Sequence, residues 1–468
     1  MFTNDQIYDF HLATLKVLEE IGIAVHDENA TKILTQAGAD FDEKTRVVKF
    51  PQHLVNEAIQ RVPKSVTLGA RTSKWDLALW KKTVYPGSGS CALNVLDFDG
   101  KRRKALLKDL EDLTRLQDAL ENVHFISPIV IPQDLPPTSI YKRSLEAILK
   151  NTEKHIVSQA ESSLDVRDQL DMAVAVTGSR DEVRRRPILS FNVCFVSPLK
   201  FGKTNTEVLV ECAKQSLPAF IESDPQSGAT APVTVVGTMV QQNAEILGAV
   251  TLAELVNPRT PVIYTHAPTV MDMRIAEVSE GAPERGLFHA MTAQVARYYG
   301  IPSCCVAGLT DSKTIDVQAG YEKAFQFAIA ALSGYNLVYS TAGMLESCLT
   351  ASYEQSVIDD EIYSMTFRVL RGAEISDKTL AEAVEVIRKV GPLGSHYLTQ
   401  DHTRRYLLNE HWIPSVSSRQ RWEVWARGGS KGAREAAQER AKNILAEHHP
   451  PRLRNDVLNT IAKIASRR

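Results

Sequence analysis

Residues 301–344 read IPSCCVAGLTDSKTIDVQAGYEKAFQFAIAALSGYNLVYSTAGM. A short apolar run ends at Gly308, and Thr310, Asp311, Ser312 and Lys313 crowd one loop behind it. An amphipathic stretch of helix length follows, and a second apolar run closes the unit. Two strands joined through a helix lie parallel, because the crossover returns the chain to the edge it left. The stretch therefore predicts an α/β fold with a parallel sheet, and it places a charged loop at the exit of a buried strand.

The same texture extends outward in both directions. Strand-like runs occur at 83–90 (TVYPGSGS), 123–131 (VHFISPIVI), 154–160 (KHIVSQA), 187–197 (PILSFNVCFVS), 218–224 (PAFIESD), 261–268 (PVIYTHAP), 301–308 and 337–344. Helical stretches such as LEDLTRLQDAL, SSLDVRDQLDMAVAVTG, TEVLVECAKQS and QQNAEILGAVTLAELVNP separate them. Eight strands across about 260 residues match a (β/α)8 TIM barrel. The alternative, a doubly wound open sheet, would carry a G-x-G-x-x-G turn after its first strand. PGSGSC at 86–91 lacks the third glycine, and no helical pattern follows it directly.

The flanks read differently. In DENATKILTQAGADFDEKTRVVKFPQHLVNEAIQRVP a helix ends at Gly38, a short strand runs from about Arg46 to Phe50, and a helix opens at Pro51 and closes before Pro63. From residue 376 the chain is helical and polar again, beginning with SDKTLAEAVEVIRKVG, which is stopped at Gly391 and Pro392. The expected organisation is a mainly helical subdomain at 1–80, a barrel with the active site at 81–400, and a helical extension packing on it at 401–468. The last segment, PRLRNDVLNTIAKIASRR, holds five basic residues and one acidic one, so it reads as a solvated or partner-facing helix.

Composition narrows the functional classes. The chain has 468 residues, 44% hydrophobic and 24% charged, which suits a soluble globular protein with one large domain or two. A formal net charge of −2 gives no overall field to attract nucleic acid or an acidic membrane. Asp5, Asp9, Glu19 and Glu20 interrupt the amphipathic start, so neither a signal peptide nor a membrane anchor is expected. The cysteines Cys91, Cys194, Cys212, Cys304, Cys305 and Cys348 are scattered without a C-x-x-C pair, which points to a reducing cytoplasm. Adjacent side chains diverge on a strand, so Cys304 and Cys305 do not share a metal ion, and no metal site is expected.

A barrel interior is packed with side chains, so a reacting molecule is met where the strands open at their C-terminal ends. Polar residues gather at those exits: Gln159, Asn192, Glu222, Asp224, Tyr264, His266, Asp311, Lys313, Glu346 and Ser347. Tyr264 and His266 are two apart and share one face of their strand. Each also has a structural reading: Asp311 and Lys313 pair across a turn, Asp224 caps the next helix from its DPQSG turn, and His266 is a hydrogen-bonded strand end.

Five segments carry a resemblance across nearly the whole chain: LEEIGIAVHDENATKILTQAGADFDE, PGSGSCALNVLDFDGKRRKALLKDLEDLTRLQDALENV, VAGLTDSKTIDVQAGYEKAFQ, LSGYNLVYSTAGMLESCLTASYEQSVIDDEI and GPLGSHYLTQDHTRRYLLNEHW. Together they resemble the trimethylamine methyltransferase superfamily, (β/α)8 barrels that pass a methyl group from an amine to the cobalt of a separate corrinoid protein. The resemblance implies a corrinoid (cobalamin) supplied by that partner, with no tightly bound cofactor of the chain's own. A homo-oligomer is expected. Archaeal trimethylamine members carry a pyrrolysine, whose imine captures the amine lone pair; this sequence has none. It therefore resembles the non-pyrrolysine branch, which includes enzymes acting on glycine betaine.

Chemistry points the same way. In methyl transfer to cobalt(I) the nitrogen must leave as an amine, and a quaternary ammonium already carries the charge that makes this easy. Glycine betaine is the first expectation for the donor, with proline betaine, carnitine or another methylamine behind it. Such a cation suits aromatic faces, for which Phe195, Tyr264 and Tyr353 are candidates. His266, Lys313, Gln159 and Asn192 are candidates for a carboxylate, and Glu222, Asp311 or Glu346 for stabilising charge. Two other classes fit the barrel: a lyase using Lys313, Lys154 or Lys203 as a Schiff base, and a non-catalytic paralogue that binds an amine.

Overall fold

Strand-forming runs rich in β-branched residues, each followed by a capped helix, close into a ring. The computed structural model describes residues 2–80 and 83–467; the expected domain boundary at 80/81 touches Lys81 and Lys82, which lie outside the described residues. The barrel strands are β1 (Tyr85–Ser88), β2 (Phe125–Ile126), β3 (His155–Ser158), β4 (Leu189–Phe195), β5 (Ala219–Ser223), β6 (Val262–His266), β7 (Ser303–Val306) and β8 (Leu337–Ala342). They form a closed parallel barrel in sequence order, with β8 paired to β1 and β2 to β3. Each of the eight expected strands is present.

The helices that follow them are α1 (Leu107–Ala119), α2 (Ile140–Asn151), α3 (Ser163–Thr177), α4 (Lys203–Gln215), α5 (Val235–Val256), α6 (Glu284–Tyr299), α7 (Val317–Ser333) and α8 (Tyr353–Leu370). Their starts are written in the sequence. Ser162, Thr234, Asp316 and Ser352 each accept a backbone N–H of the first turn of α3, α5, α7 and α8. Because Thr234 caps α5, the expected cap role of Asp224 is not realised. The glycines of PGSGS serve close packing instead of phosphate binding: a Cβ on Gly87 would stand 2.2 Å from the Phe125 ring.

The N-terminal flank contains helices Asn4–Lys16, Glu28–Gln36 and Gln52–Arg61. Its strands Ile23–Val25, Val47–Lys49 and Asp40–Asp42 form one sheet with Lys200–Phe201, which belongs to the loop after β4. The final helix, Asn455–Ala465, buries Val457, Ile461, Ile464 and Ala465 and packs on α2 and α3. Arg467 beyond it pairs with Asp168 at 2.8 Å. That corrects the reading of this segment as a solvated or partner-facing helix. Among the described residues no helix is long and apolar enough to cross a membrane.

Two small sheets rise from the loops at the C-terminal ends of the barrel strands. One joins Gln226–Ser227, Thr269–Asp272 and Glu277–Ser279; the other joins Met344–Leu345, Thr350–Ser352, Asn94–Leu96 and Arg102–Lys104. They wall the mouth and bring residues far apart in sequence to its floor.

Candidate active site at the barrel mouth

Strand alternation sorts the expected residues into two sets. On β4, Ser190, Asn192 and Cys194 share one face and Phe191, Val193 and Phe195 the other. Phe195 packs on Phe201 with ring centroids 4.4 Å apart, which turns it toward the outer layer. On β5, Phe220 and Glu222 share a face, and Phe220 lies beside Phe125 and Tyr339 at 6.2–6.4 Å between centroids. These three rings plug the lumen, and the inward groups beyond them line its mouth.

The floor of that mouth is built from Asn192, Cys194, Glu222, Tyr339 and the nearby Cys91, Gln159 and Asp224. The Tyr339 hydroxyl lies 3.0 Å from Ser90 Oγ, and the Gln159 amide donates to Cys91 Sγ. Cys91, Gln159, Asn192 and Cys194 stay partly accessible although they lie deep at strand ends, and Asp224 is exposed. Glu222 is 8% exposed, and its Oε2 has no hydrogen-bond partner among the protein atoms.

Glu222 sits among more negative than positive charge. Burial raises its pKa to about 7; a hydrogen bond from Asn192 opposes the rise, Glu280 adds to it, and Arg285 opposes it. The position of Asp224 deep in the mouth and the charges of Glu280 and Glu222 raise its carboxyl too, an effect that the exposure of its side chain to water tempers. Glu280 is raised by burial, with Arg285 lowering it and Asp311 raising it. Arg285 is fully buried, bonded to Glu280 and to the Val306 carbonyl. One guanidinium thus serves three carboxylates at the floor, and a cation arriving there would supply the charge and the contact that are missing.

The charged loop after β7 is a clamp. Asp311 accepts from Ser279 Oγ (2.8 Å), Glu280 N (2.8 Å), Gly281 N (3.0 Å) and Ser347 Oγ (2.7 Å). It ties the loops after β6, β7 and β8 together and fixes the backbone of Glu280. Glu322 on α7 holds the loop in turn, accepting from Thr310 Oγ1 (2.6 Å) and Asp311 N (2.9 Å). The carboxylate expected to touch substrate therefore positions one that does not stand out in the sequence.

Other expected residues point elsewhere. Tyr264 donates to Asn243 Oδ1 at 2.9 Å, and His266 Nδ1 is 3.0 Å from Gln242 Oε1, both partners on α5. They share a face, as expected, but it is the face turned to the helices. Tyr353 donates to Asp109 at 2.9 Å and stacks 4.9 Å from Phe98. An aromatic cage from Phe195, Tyr264 and Tyr353 is not assembled, because none of the three faces the lumen. Glu346 is held by Arg102 at 2.7 Å and by Thr350, on the rim.

None of the three lysines considered for a Schiff base reaches the floor. Lys313 is exposed and donates to the Asp311 carbonyl at 2.7 Å. Lys154 is sealed among carbonyls of Gln117 (2.9 Å) and Leu120 (2.7 Å), and Lys203 is exposed at the start of α4. Among the described residues no three His, Cys, Asp or Glu side chains are grouped to hold a metal ion.

Sequence reasoning missed Glu280, Arg285 and Tyr339. Glu280 lies 14 residues beyond β6, just after the short strand Glu277–Ser279 of the small sheet over the mouth, where no barrel periodicity marks it. Arg285 occupies the first turn of α6, a position that ordinarily faces water.

Comparison with known proteins places this geometry in context. The profile of the family described as trimethylamine methyltransferase (MTTB) matches residues 1–468. A trimethylamine methyltransferase MttB of Desulfitobacterium hafniense is 35% identical over 464 residues, covering 99% of this chain and 92% of that protein. A glycine betaine methyltransferase of the same species is 34% identical over 97% of this chain and 94% of its own length. Methanosarcina barkeri MttB is 33% identical over 100% of this chain and 94% of its own. The crystal structure of Methanosarcina barkeri monomethylamine methyltransferase aligns over 96% of this chain and 88% of that one, with a TM-score of 0.57 at 13% identity, a likeness of fold.

Proposed function

Since the chain belongs to the trimethylamine methyltransferase family and is an enzyme of that kind, we propose that it moves a methyl group from a quaternary ammonium compound to the cobalt(I) of a corrinoid carried by a separate protein. The observation that carries this reading is the imbalance at the mouth, where Glu222, Asp224 and Glu280 share Arg285.

The corrinoid supplies the nucleophile and accepts the methyl group. The residues of this chain do the rest. Glu222 and Asp224 draw the ammonium to the floor, where the walls exclude bulk water and strengthen each charge interaction. Full ionisation of all three acids would over-stabilise the charged donor relative to a transition state in which that charge is discharging. Raised pKa values temper this: part of the cluster stays protonated, so less negative charge opposes the discharge of the ammonium. Gln159 and Asn192 would orient the remainder of the donor.

Glycine betaine heads the donor panel, with proline betaine and carnitine next. Its ammonium suits the floor; a carboxylate would be directed to the rim, where Lys313 and Arg102 stand. A protonated tertiary amine is the second reading, favoured by Glu222 Oε2, which lacks a donor that an N–H would supply.

The mouth also fits a protein partner. Leu93, Val196, Val233, Met273, Ile275 and Leu349 lie in the loops around it and are 46–73% exposed. An apolar rim over a polar floor suits docking of a corrinoid protein. All six cysteines are free, in keeping with a cytoplasmic setting.

The test supplies free cob(I)alamin and a panel of quaternary and tertiary amines, and follows methylcobalamin spectroscopically. Turnover with one or more quaternary donors and none with trimethylamine is expected. Turnover with trimethylamine alone would transfer the assignment to the second reading, and donor binding without methylation would favour a non-catalytic paralogue.

A further inference from the structure

Glu245 on α5 is a fully buried acid for which the reaction has no use. Its two oxygens take four neutral donors. Oε1 accepts from the Leu199 backbone N–H (2.7 Å) and the Gln241 amide (3.0 Å), and Oε2 accepts from the hydroxyls of Ser197 (2.7 Å) and Ser223. Burial raises its pKa, and the bonds from Ser223, Leu199, Ser197 and Gln241 oppose the rise. A carboxyl group sunk this far is costly unless its lone pairs are engaged, so the cluster holds its members to one geometry.

The donors come from separate pieces of the mouth. Ser223 closes β5 between Glu222 and Asp224, and its side chain points to α5 while that of Glu222 points to the lumen. Ser197 and Leu199 lie in the loop after β4, just beyond Cys194. Leu199 holds a positive φ of 48°, a conformation unfavourable for a branched side chain, and its bond to Glu245 secures it. Gln241 also donates to the Thr230 carbonyl at 2.8 Å, in the loop after β5. The N-terminal sheet braces the same assembly from outside: Ala24 N donates to Leu199 O and His26 N to Phe201 O, both at 2.9 Å. Three residues along α5 from Glu245, Gly248 leaves room for Ile23, whose Cδ1 stands 2.5 Å from where a Cβ would be. One carboxyl group therefore joins the N-terminal flank to the strand end at the floor.

We propose that Glu245 is a positioning residue of the floor: it fixes the strand end that carries Glu222 and Asp224 and ties it to the loop after β4, which the N-terminal sheet braces. The inference rests on the binding role given above to Glu222 and Asp224. Glu245 lies behind the strand and acts through Ser223. Glutamine replaces it in part, since an amide oxygen still accepts from the two N–H groups and the amide nitrogen donates to the two hydroxyls. Alanine replaces none of this.

Hydrogen exchange of the full chain and steady-state methylation of free cob(I)alamin by the quaternary donor panel test this. S223A removes only the bond that reaches β5. Its amides at residues 222–224 are expected to exchange at least about tenfold faster, with those at 199–201 at the parent rate. Its donor KM is expected to rise about tenfold, with kcat changed less than about threefold. E245A releases both segments, so exchange rises at 199–201 as well and kcat/KM falls about 100-fold. E245Q is expected to recover about tenfold of that loss. Tyr264→Phe removes an outward hydroxyl from the neighbouring strand and controls for plain loss of stability, so its donor KM is expected to equal the parent's. S223A with parent exchange and parent KM, or E245Q no better than E245A, would overturn the proposal. If E245A does not fold, S223A decides it alone. A parent that methylates no corrinoid would remove the proposed function instead, and exchange in S223A would still decide whether Glu245 holds the floor.

Discussion

Replacing Glu222 with Gln keeps the volume and an amide oxygen but removes the charge at the floor. An ammonium about 5 Å from that carboxylate, at an effective dielectric of about 20, gains about 3 kcal/mol. Arg285 and residual water reduce this, leaving a KM increase of roughly 10- to 100-fold for E222Q at pH 8. The pH dependence is the sharper test. The donor binds the ionised cluster, and with a midpoint of about 7 the ionised fraction rises from about a tenth at pH 6 to about nine tenths at pH 8. The KM of the parent enzyme should therefore fall about tenfold over that window, while E222Q should show a clearly smaller fall. Burial and mutual repulsion raise Asp224 and Glu280 as well, so the comparison with E222Q isolates the part of the pH dependence that belongs to Glu222. The assay is methylation of cob(I)alamin at saturating corrinoid, with KM and kcat resolved at each pH. A parent KM that does not change with pH, together with an E222Q KM equal to the parent's, would refute the role of the cluster in binding the cation.

Stability should move in the opposite sense. Glu222 keeps its proton in the fold up to about pH 7 but loses it near 4.5 when unfolded, so the protein loses stability as pH rises between those values, by about 3 kcal/mol in the limit. E222Q should raise Tm at pH 8 and leave it unchanged at pH 4, measured by calorimetry. Asp311→Ala removes the acceptor of four hydrogen bonds, each worth roughly 1.5–3 kcal/mol to a charged group; faster hydrogen exchange at residues 277–283 and 345–350 and a lower kcat/KM are expected. Tyr264→Phe strips only the bond to Asn243, so a stability loss of about 1–2 kcal/mol with donor KM unchanged is expected from denaturant titration and steady-state kinetics. Ile275→Asp on the rim should raise the KM for a corrinoid protein while leaving the rate with free cob(I)alamin as it was.

Several elements were legible because their signals are local. The PVIYTHAP and IPSCCVAG runs, bounded by proline and glycine, mark strands wherever they are packed. Counting eight such units was enough to close the barrel, and the segments around PGSGS and VAGLTDSK were enough to place the family. Even parity along a strand was readable, since Tyr264 and His266 do share a face.

Which face that is could not be read. In a parallel barrel both sides of a strand are buried, one against the lumen and one against helices, so the sequence carries no polar-to-apolar asymmetry to tell them apart. On β8 the parity itself breaks, with Ser340 at φ 59° inside a register shift between Val338 and Ala342. Tyr339 therefore faces the lumen, while Thr341, two residues on, meets Tyr363 on α8 at 2.7 Å.

The amino-acid string alone settled the ring of strands and the helices between them, because short-range periodicity suffices for both, and the resemblance carried by its segments pointed to the kinship of the chain. Only the folded arrangement settled the chemistry of the mouth. Glu222, Asp224, Glu280 and Arg285 come from β5, two loops and a helix start, and their shared charge arises from distances through space that no spacing along the chain encodes.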